Sequence, residues 1–151
     1  MGFSLEGVTT VDSATKNELF DRATMWFATY YRKSTDVLEL KDKDGGRIAG
    51  KGSFPVYMKQ WGFVGYIYYT IRLYFKEGKY KYIIDSFVHR GTNGTPSFGV
   101  IKKTADPPDV NIMFKRQYWV VFHDSINSQT PKIIKDLEDN MRKGDEKKND
   151  W

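Results

Sequence analysis

Cysteine is absent from the 151 residues, which excludes disulfides, thiolate nucleophiles and thiolate zinc sites. Histidine is nearly as scarce, with only His89 and His123, far apart in sequence, so the commonest general base and metal ligand has little presence. No long apolar run occurs and the mean hydropathy is −0.59, which excludes a membrane-spanning helix. The N-terminus shows no charged segment followed by an apolar one, so no signal peptide is visible. Repeats and low-complexity stretches are also missing. These absences leave an ordinary globular composition, 40% hydrophobic and 28% charged, at a length that suits one domain with a real core. They also leave no catalytic constellation, and the chain is read as a non-enzyme with no cofactor and no metal site.

What is abundant is concentrated. Of the 24 aromatic residues, 12 lie between Phe54 and Phe87. Residues 46 to 90 carry eight lysines or arginines against Glu77 and Asp85, a local excess of six, while the net charge of the whole chain is +5. Basic and aromatic residues are therefore interleaved in one segment.

Periodicity organises the chain. After an extended stretch from Leu5 to Val11, Thr15 and Glu18 stand at capping-box spacing, and Leu19, Ala23, Trp26, Phe27 and Tyr30 recur on one helical face. The helix is predicted to end near Arg32 to Ser34. Val37 to Lys41 alternates as a strand, and 42–46, Asp-Lys-Asp-Gly-Gly, is a turn. In the following strand Ile48, Gly50, Gly52, Phe54, Val56 and Met58 share one parity. Its glycines point to a bulge or a close approach by the helix, and Pro55 to an edge or irregular position. Residues 45 to 51 satisfy the first seven positions of a phosphate-binding loop, but Gly52 occupies the eighth. The context, a turn before and a strand after, is wrong for cradling phosphate.

The hairpin around Glu77-Gly78 can be read in register. With Lys76 opposite Lys79, the residues Ile67, Tyr69, Ile71, Leu73 and Phe75 face Val88, Ser86, Ile84, Tyr82 and Tyr80 as the core row. The other row then gathers Tyr66, Tyr68, Thr70, Arg72 and Tyr74 with His89, Phe87, Asp85, Ile83 and Lys81. Residues 91 to 111 read as a long connection with a short strand at Phe98 to Ile101. Beyond it, Trp119, Phe122, Ile126, Ile133, Leu137 and Met141 keep helical steps. Pro131 predicts a break into two helical pieces, the second starting near Ser128 to Thr130. The acidic run Asp136 to Asp139 reads as a solvated helical face. His89 reads as a surface histidine, and His123 shares no face with neighbouring Asp124.

These elements predict an α+β domain over residues 1–104, an antiparallel sheet with helices packed on one face. A C-terminal helical extension over 105–143 packs on the same domain, and a disordered tail covers 144–151. The run Lys16-Asn17-Glu18-Leu19-Phe20-Asp21-Arg22-Ala23, then Trp26, then 42–52, Asp-Lys-Asp-Gly-Gly-Arg-Ile-Ala-Gly-Lys-Gly, resembles the domain-of-unknown-function 4468 family over about residues 5 to 100. The resemblance implies a fold similar to TATA-binding protein (TBP-like) and an extracytoplasmic setting, periplasm or cell envelope, as in Bacteroidetes lipoproteins. It implies no catalytic positions. The lipid-attachment cysteine typical of full-length members is absent from this chain.

The candidate binding face is Tyr66, Tyr68, Arg72, Tyr74, Lys81, Phe87 and His89. Its leading reading is contact with another protein, a second copy or an envelope component; the packing reading has the chain's own C-terminal helices or a second subunit bury the same face. The alternative is nucleic acid or an acidic polysaccharide, with tyrosines stacking and Arg72, Lys79 and Lys81 meeting phosphate or carboxylate.

Overall fold

A computed structural model describes residues 3–31, 37–92, 94–104 and 106–148. The elements are β1 (Ser4–Thr10), α1 (Lys16–Tyr30), β2 (Val37–Asp42), β3 (Arg47–Met58), β4 (Gly62–Lys76), β5 (Lys79–Arg90), β6 (Gly99–Val100) and α2 (Lys115–Lys148). The sheet is antiparallel throughout, in the order β1-β5-β4-β3-β2, with β6 beside β5. Because β1 and β2 occupy opposite edges, α1 crosses one face of the sheet to connect them.

Helix α1 starts where its capping box dictates. The Thr15 Oγ1 accepts from the Glu18 N–H at 3.1 Å, and the Thr15 N–H donates to Glu18 Oε1 at 3.2 Å. Leu19, Phe20, Ala23, Trp26 and Phe27 are buried against the sheet, while Tyr30 stays exposed and stacks on Trp26. The helix ends at Tyr30; Arg32 to Ser34, where its end was expected, lie outside the described residues. The predicted close approach on β3 is found at Gly52, where a Cβ would run into the Tyr31 ring and sit 2.7 Å from the Tyr69 hydroxyl. Pro55 lies beyond the reach of β2 and beside a register shift, which is where a residue without an N–H is tolerated.

The C-terminal segment is one helix, not two. The break predicted at Pro131 does not occur because Pro131 sits on the exposed side, while Ile126, Thr130, Ile133, Leu137 and Met141 form one buried stripe through it. The Thr130 hydroxyl donates to the Ile126 carbonyl at 2.6 Å, which lets a polar side chain fill that stripe. Packing on both sides outweighs the lost backbone bond and the strain before proline. Helicity continues past Gly144 to Lys148, inside the span expected as a disordered tail, and residues 149–151 of that span lie outside the described residues.

Helix α2 lies beside α1 on the same face. The Trp26 indole donates to Asp136 Oδ2 at 2.8 Å, and Arg22 Nη1 donates to the Met141 carbonyl at 2.8 Å. Asp136 is thus a partner of α1, not part of a wholly solvated face. One core cluster runs from Phe3 to Met141, so the α+β unit and its helical extension share a single interior. No helix is long and apolar enough to cross a membrane among the described residues.

Candidate interaction face

Both helices occupy one face of the sheet, so alternate residues of every strand are left on the other. Strand pairing decides which ones. In the hairpin, Lys76 opposes Lys79, Tyr74 opposes Lys81, Arg72 opposes Ile83 and Thr70 opposes Asp85, as the sequence predicts. The register then shifts, and Tyr68 opposes Val88 while Tyr66 opposes Arg90. Two residues of β5, Ser86 and Phe87, stand against Tyr69 alone, which is a β-bulge. Ser86 takes a φ of 59°, the left-handed conformation of the first bulge residue, and its hydroxyl donates to Asp85 Oδ1 at 3.1 Å.

The bulge corrects two predicted site residues. Phe87 is turned to the helix-covered face, 1% exposed, and meets Tyr69 and Phe3. His89 follows it there and is fully buried, stacked on Phe122 with ring centroids 4.2 Å apart. Its Nε2 lies 2.8 Å from the Val64 carbonyl and its Nδ1 accepts from the Phe98 N–H at 3.2 Å. Those partners assign the neutral tautomer with the proton on Nε2. Burial lowers the His89 pKa from its ordinary 6.5, and the Val64 hydrogen bond opposes that shift. His89 is a core bridge joining β4, the 91–98 connection and α2, not a surface histidine. His123 lies on the same side, its Nε2 donating to the Lys102 carbonyl at 2.9 Å.

The other five predicted residues, Tyr66, Tyr68, Arg72, Tyr74 and Lys81, do share the open face. Neither helix covers it, so its reading as a seat for the chain's own C-terminal helices is corrected; α2 packs on α1 and the opposite face. Bulges also bring in residues that sequence reasoning missed. Gly65, at a φ of 111° where a Cβ would strike the Arg90 carbonyl, allows Phe63 to pair with Tyr57 on the open side. A continuous row of rings results: Tyr57 to Phe63 at 5.6 Å, Phe63 to Tyr66 at 5.2 Å, and Tyr66 to Tyr68 at 6.3 Å. The Arg90 guanidinium lies 6.0 Å from the Tyr68 ring centre. The glycine at 65 was the available clue, since an isolated strand glycine marks a bulge.

Charge on this face is partly neutralised. Arg72 pairs with Asp85 at 2.5 Å, Arg47 with Asp42 at 3.1 Å and Lys51 with Glu39 at 3.3 Å. Asp42 is held below the usual carboxylate range, first by the Gly45 N–H and then by Arg47. The segment 45–51 is accordingly the β2–β3 turn and the start of a strand, with Lys51 committed to an ion pair. Lys76, Lys79 and Lys81 at the hairpin end, and Arg90 at the other end over Tyr68, stand without an ion pair among the described residues. Val8, Tyr57 and Val100 add well-exposed apolar surface around the rings. The arrangement offers stacking and apolar contact, with lysines gathered at the hairpin end.

Residues 6–90 match the family described as a domain of unknown function (DUF4468) with TBP-like fold. The chain belongs to this family. A crystal structure of a TBP-like protein from Parabacteroides distasonis superposes on the DUF4468 chain with a TM-score of 0.68 at 12% identity, covering 91% of this chain and 93% of its own. A DUF4468 family protein from Bacteroides ovatus gives a TM-score of 0.61 at 14% identity, covering 89% and 85%. Both likenesses extend past residue 90, and at this identity they establish the fold, including the α+β antiparallel sheet, and nothing finer. No curated protein matches the chain with significance.

Proposed function

We propose that this DUF4468 domain is a non-catalytic interaction module whose open sheet face docks a partner protein or a second copy of the chain. What supports the reading is the row Tyr57, Phe63, Tyr66 and Tyr68, which no described element covers. Tyrosines on a rigid sheet supply large contact area at low entropic cost, and contiguous exposed apolar surface marks interaction sites. Ion pairing of Arg72, Arg47 and Lys51 within the face favours a protein over a polyanion. A photocrosslinking residue at Tyr68, in the native host, should give a discrete adduct that the same residue at Thr24 on α1 does not. No adduct from Tyr68, together with a monomeric mass at about 100 µM, sinks the reading; that concentration would populate any contact of the affinity expected for a small interface.

One observation favours the polyanion alternative, the three unpaired lysines 76, 79 and 81 beside Tyr74. If they bind phosphates, affinity for labelled DNA, RNA or an acidic polysaccharide should fall with salt at a logarithmic slope of about −2 to −3. Fluorescence anisotropy at two salt concentrations decides it. The extracytoplasmic setting remains part of this proposal through the family resemblance, and fractionation of the native host checks it by placing the protein in the periplasm or envelope.

A further inference from the structure

The end of the molecule away from the Glu77-Gly78 turn carries a different surface, assembled from three segments. The β3–β4 connection supplies Lys59 and Trp61, the stretch ahead of α2 supplies Met113 and Phe114, and the first turns of α2 supply Arg116 and Val120. Trp61 holds them together: its ring stacks on Tyr118 at 5.4 Å and 6° and lies 5.3 Å from Phe114. The apolar side chains nonetheless remain open to solvent, Met113 at 78%, Val120 at 54%, Phe114 at 49% and Trp61 at 43%. Phe114 takes a φ of 61°, and its ring meets Trp61 instead of joining the core. Val120 borders a shallow depression lined with Met58, Gln60, Arg116, Gln117 and Val121, which joins the end of β3 to the first turns of the helix.

Charge around this tip is predominantly positive. Lys59, Lys115 and Arg116 flank the apolar residues in sequence, and Lys102 and Lys103 pass beside α2, where the Lys102 carbonyl receives His123. Against these five cations stand Asp106, paired with Arg116 at 3.6 Å in an exposed contact, and Asp109. The first turn of α2 contains no acidic residue.

We propose that this end is a peripheral docking tip for an anionic phospholipid bilayer. A tryptophan, a phenylalanine and a methionine carried on a turn and a helix start are placed to enter the boundary between headgroups and acyl chains. Lysine and arginine beside them stay level with the phosphates, their aliphatic stems lying along the apolar surface. The attraction is the sum of buried apolar area and of cations near a negative surface, each term weak alone. The open sheet face consists of other residues, so the tip neither uses nor requires the interaction proposed there.

The test is sedimentation of the full chain with vesicles of phosphatidylcholine alone and with 30 mol% phosphatidylglycerol, a composition of about the charge found in anionic membranes. Binding is expected to the charged vesicles and to weaken several-fold in about 0.5 M salt, where screening shortens to a few ångströms. In a Trp151→Phe background, Trp61 emission should shift to the blue on binding, since Trp26 and Trp119 are already buried. Met113→Ser, at a side chain so exposed that the fold does not depend on it, should lower the partition coefficient several-fold, and Trp61→Ser with Met113→Ser by more than about tenfold. Three results overturn the proposal: no sedimentation with either vesicle, equal binding to both, or binding unaffected by Met113→Ser. A dimer that Met113→Ser dissociates also overturns it, by making the tip an interface between copies.

Discussion

The two faces of the β4–β5 hairpin are made of the same strands and nearly the same aromatic content, yet they do opposite things. On the covered face Tyr69, Phe75, Tyr80 and Phe87 are buried beneath two helices; on the open face Tyr66 and Tyr68 are half-buried, Tyr74 is exposed, and Arg90 and ion pairs lie between them. Aromatic richness alone therefore does not mark a site. What separates the faces is register, and register here depends on one residue, Ser86.

Deletions break this comparison most severely. Removing Ile83 carries Ile84 to the open face and pushes Asp85 into the core opposite Ile71, so cooperative unfolding in urea should be lost, because an unpaired buried carboxylate costs several kcal/mol. Removing Ser86 only erases the bulge: Phe87 stays opposite Tyr69 and His89 opposite Ile67. That variant should remain folded, losing no more than about 2 kcal/mol. Equal damage from both deletions refutes the bulge as the hinge between the faces.

Truncations come next in size. Phe87→Ala leaves a cavity between Tyr69 and Phe3 and should cost about 3–5 kcal/mol. Tyr68→Ala, on the open face under Arg90, should cost about 1 kcal/mol and spare the fold, which makes it a usable probe of binding. Urea denaturation midpoints of the two variants, at unchanged slope, give the ratio directly.

Most of the architecture is legible in the residues because local and global preferences agree. The capping box at Thr15, the turns at 42–46 and Glu77-Gly78, and the parity of Ile48 to Met58 each specify their element without tertiary help. An uninterrupted register, however, places Ser86 in the core row and Phe87 and His89 outside. That conflict between polarity and position is itself the trace of an inserted residue, and adding one at Ser86 resolves it. The Pro131 reading fails for a different reason: a proline rule is local, while the stripe from Ile126 to Met141 is buried by contacts distant in sequence. The side of the sheet that α2 covers is also set by such contacts, Trp26 with Asp136 above all, and no spacing encodes it.

Acid should bear on the covered face through His89. Its pKa is lowered by burial, so below about pH 6.5 the unfolded chain takes up a proton that the folded chain refuses. The stability linked to this group is fully present above the unfolded value and is lost as pH falls toward the folded one. A protonated ring also could not accept from the Phe98 N–H. Between pH 7.5 and 5.5 the wild-type stability should therefore decline, with a slope from this proton of at most about 1.4 kcal/mol per pH unit. His89→Gln, which can donate to Val64 and accept from Phe98 without titrating, should flatten that part of the profile. A parallel decline in both proteins would assign the effect to carboxylates instead.

The smallest effect is expected where the open face carries its best-formed ion pair. Arg72 and Asp85 are diagonal neighbours on β4 and β5, each about a third exposed, so water screens them and side-chain entropy offsets part of the attraction. A double-mutant cycle of Arg72→Met and Asp85→Asn should give a coupling below about 1 kcal/mol in thermal or urea unfolding. The consequence for binding should be larger than that for stability. Asp85→Asn leaves the Arg72 charge uncompensated in the middle of the face, between the tyrosine row and Lys81, and so tilts the surface toward polyanions. Affinity for labelled DNA at low salt should then rise several-fold over wild type while the melting curve stays put. A face selected for a protein partner keeps that charge neutral, whereas a phosphate-binding face would gain nothing from Asp85; unchanged DNA affinity in Asp85→Asn would mean the pair does not govern which ligand the face admits.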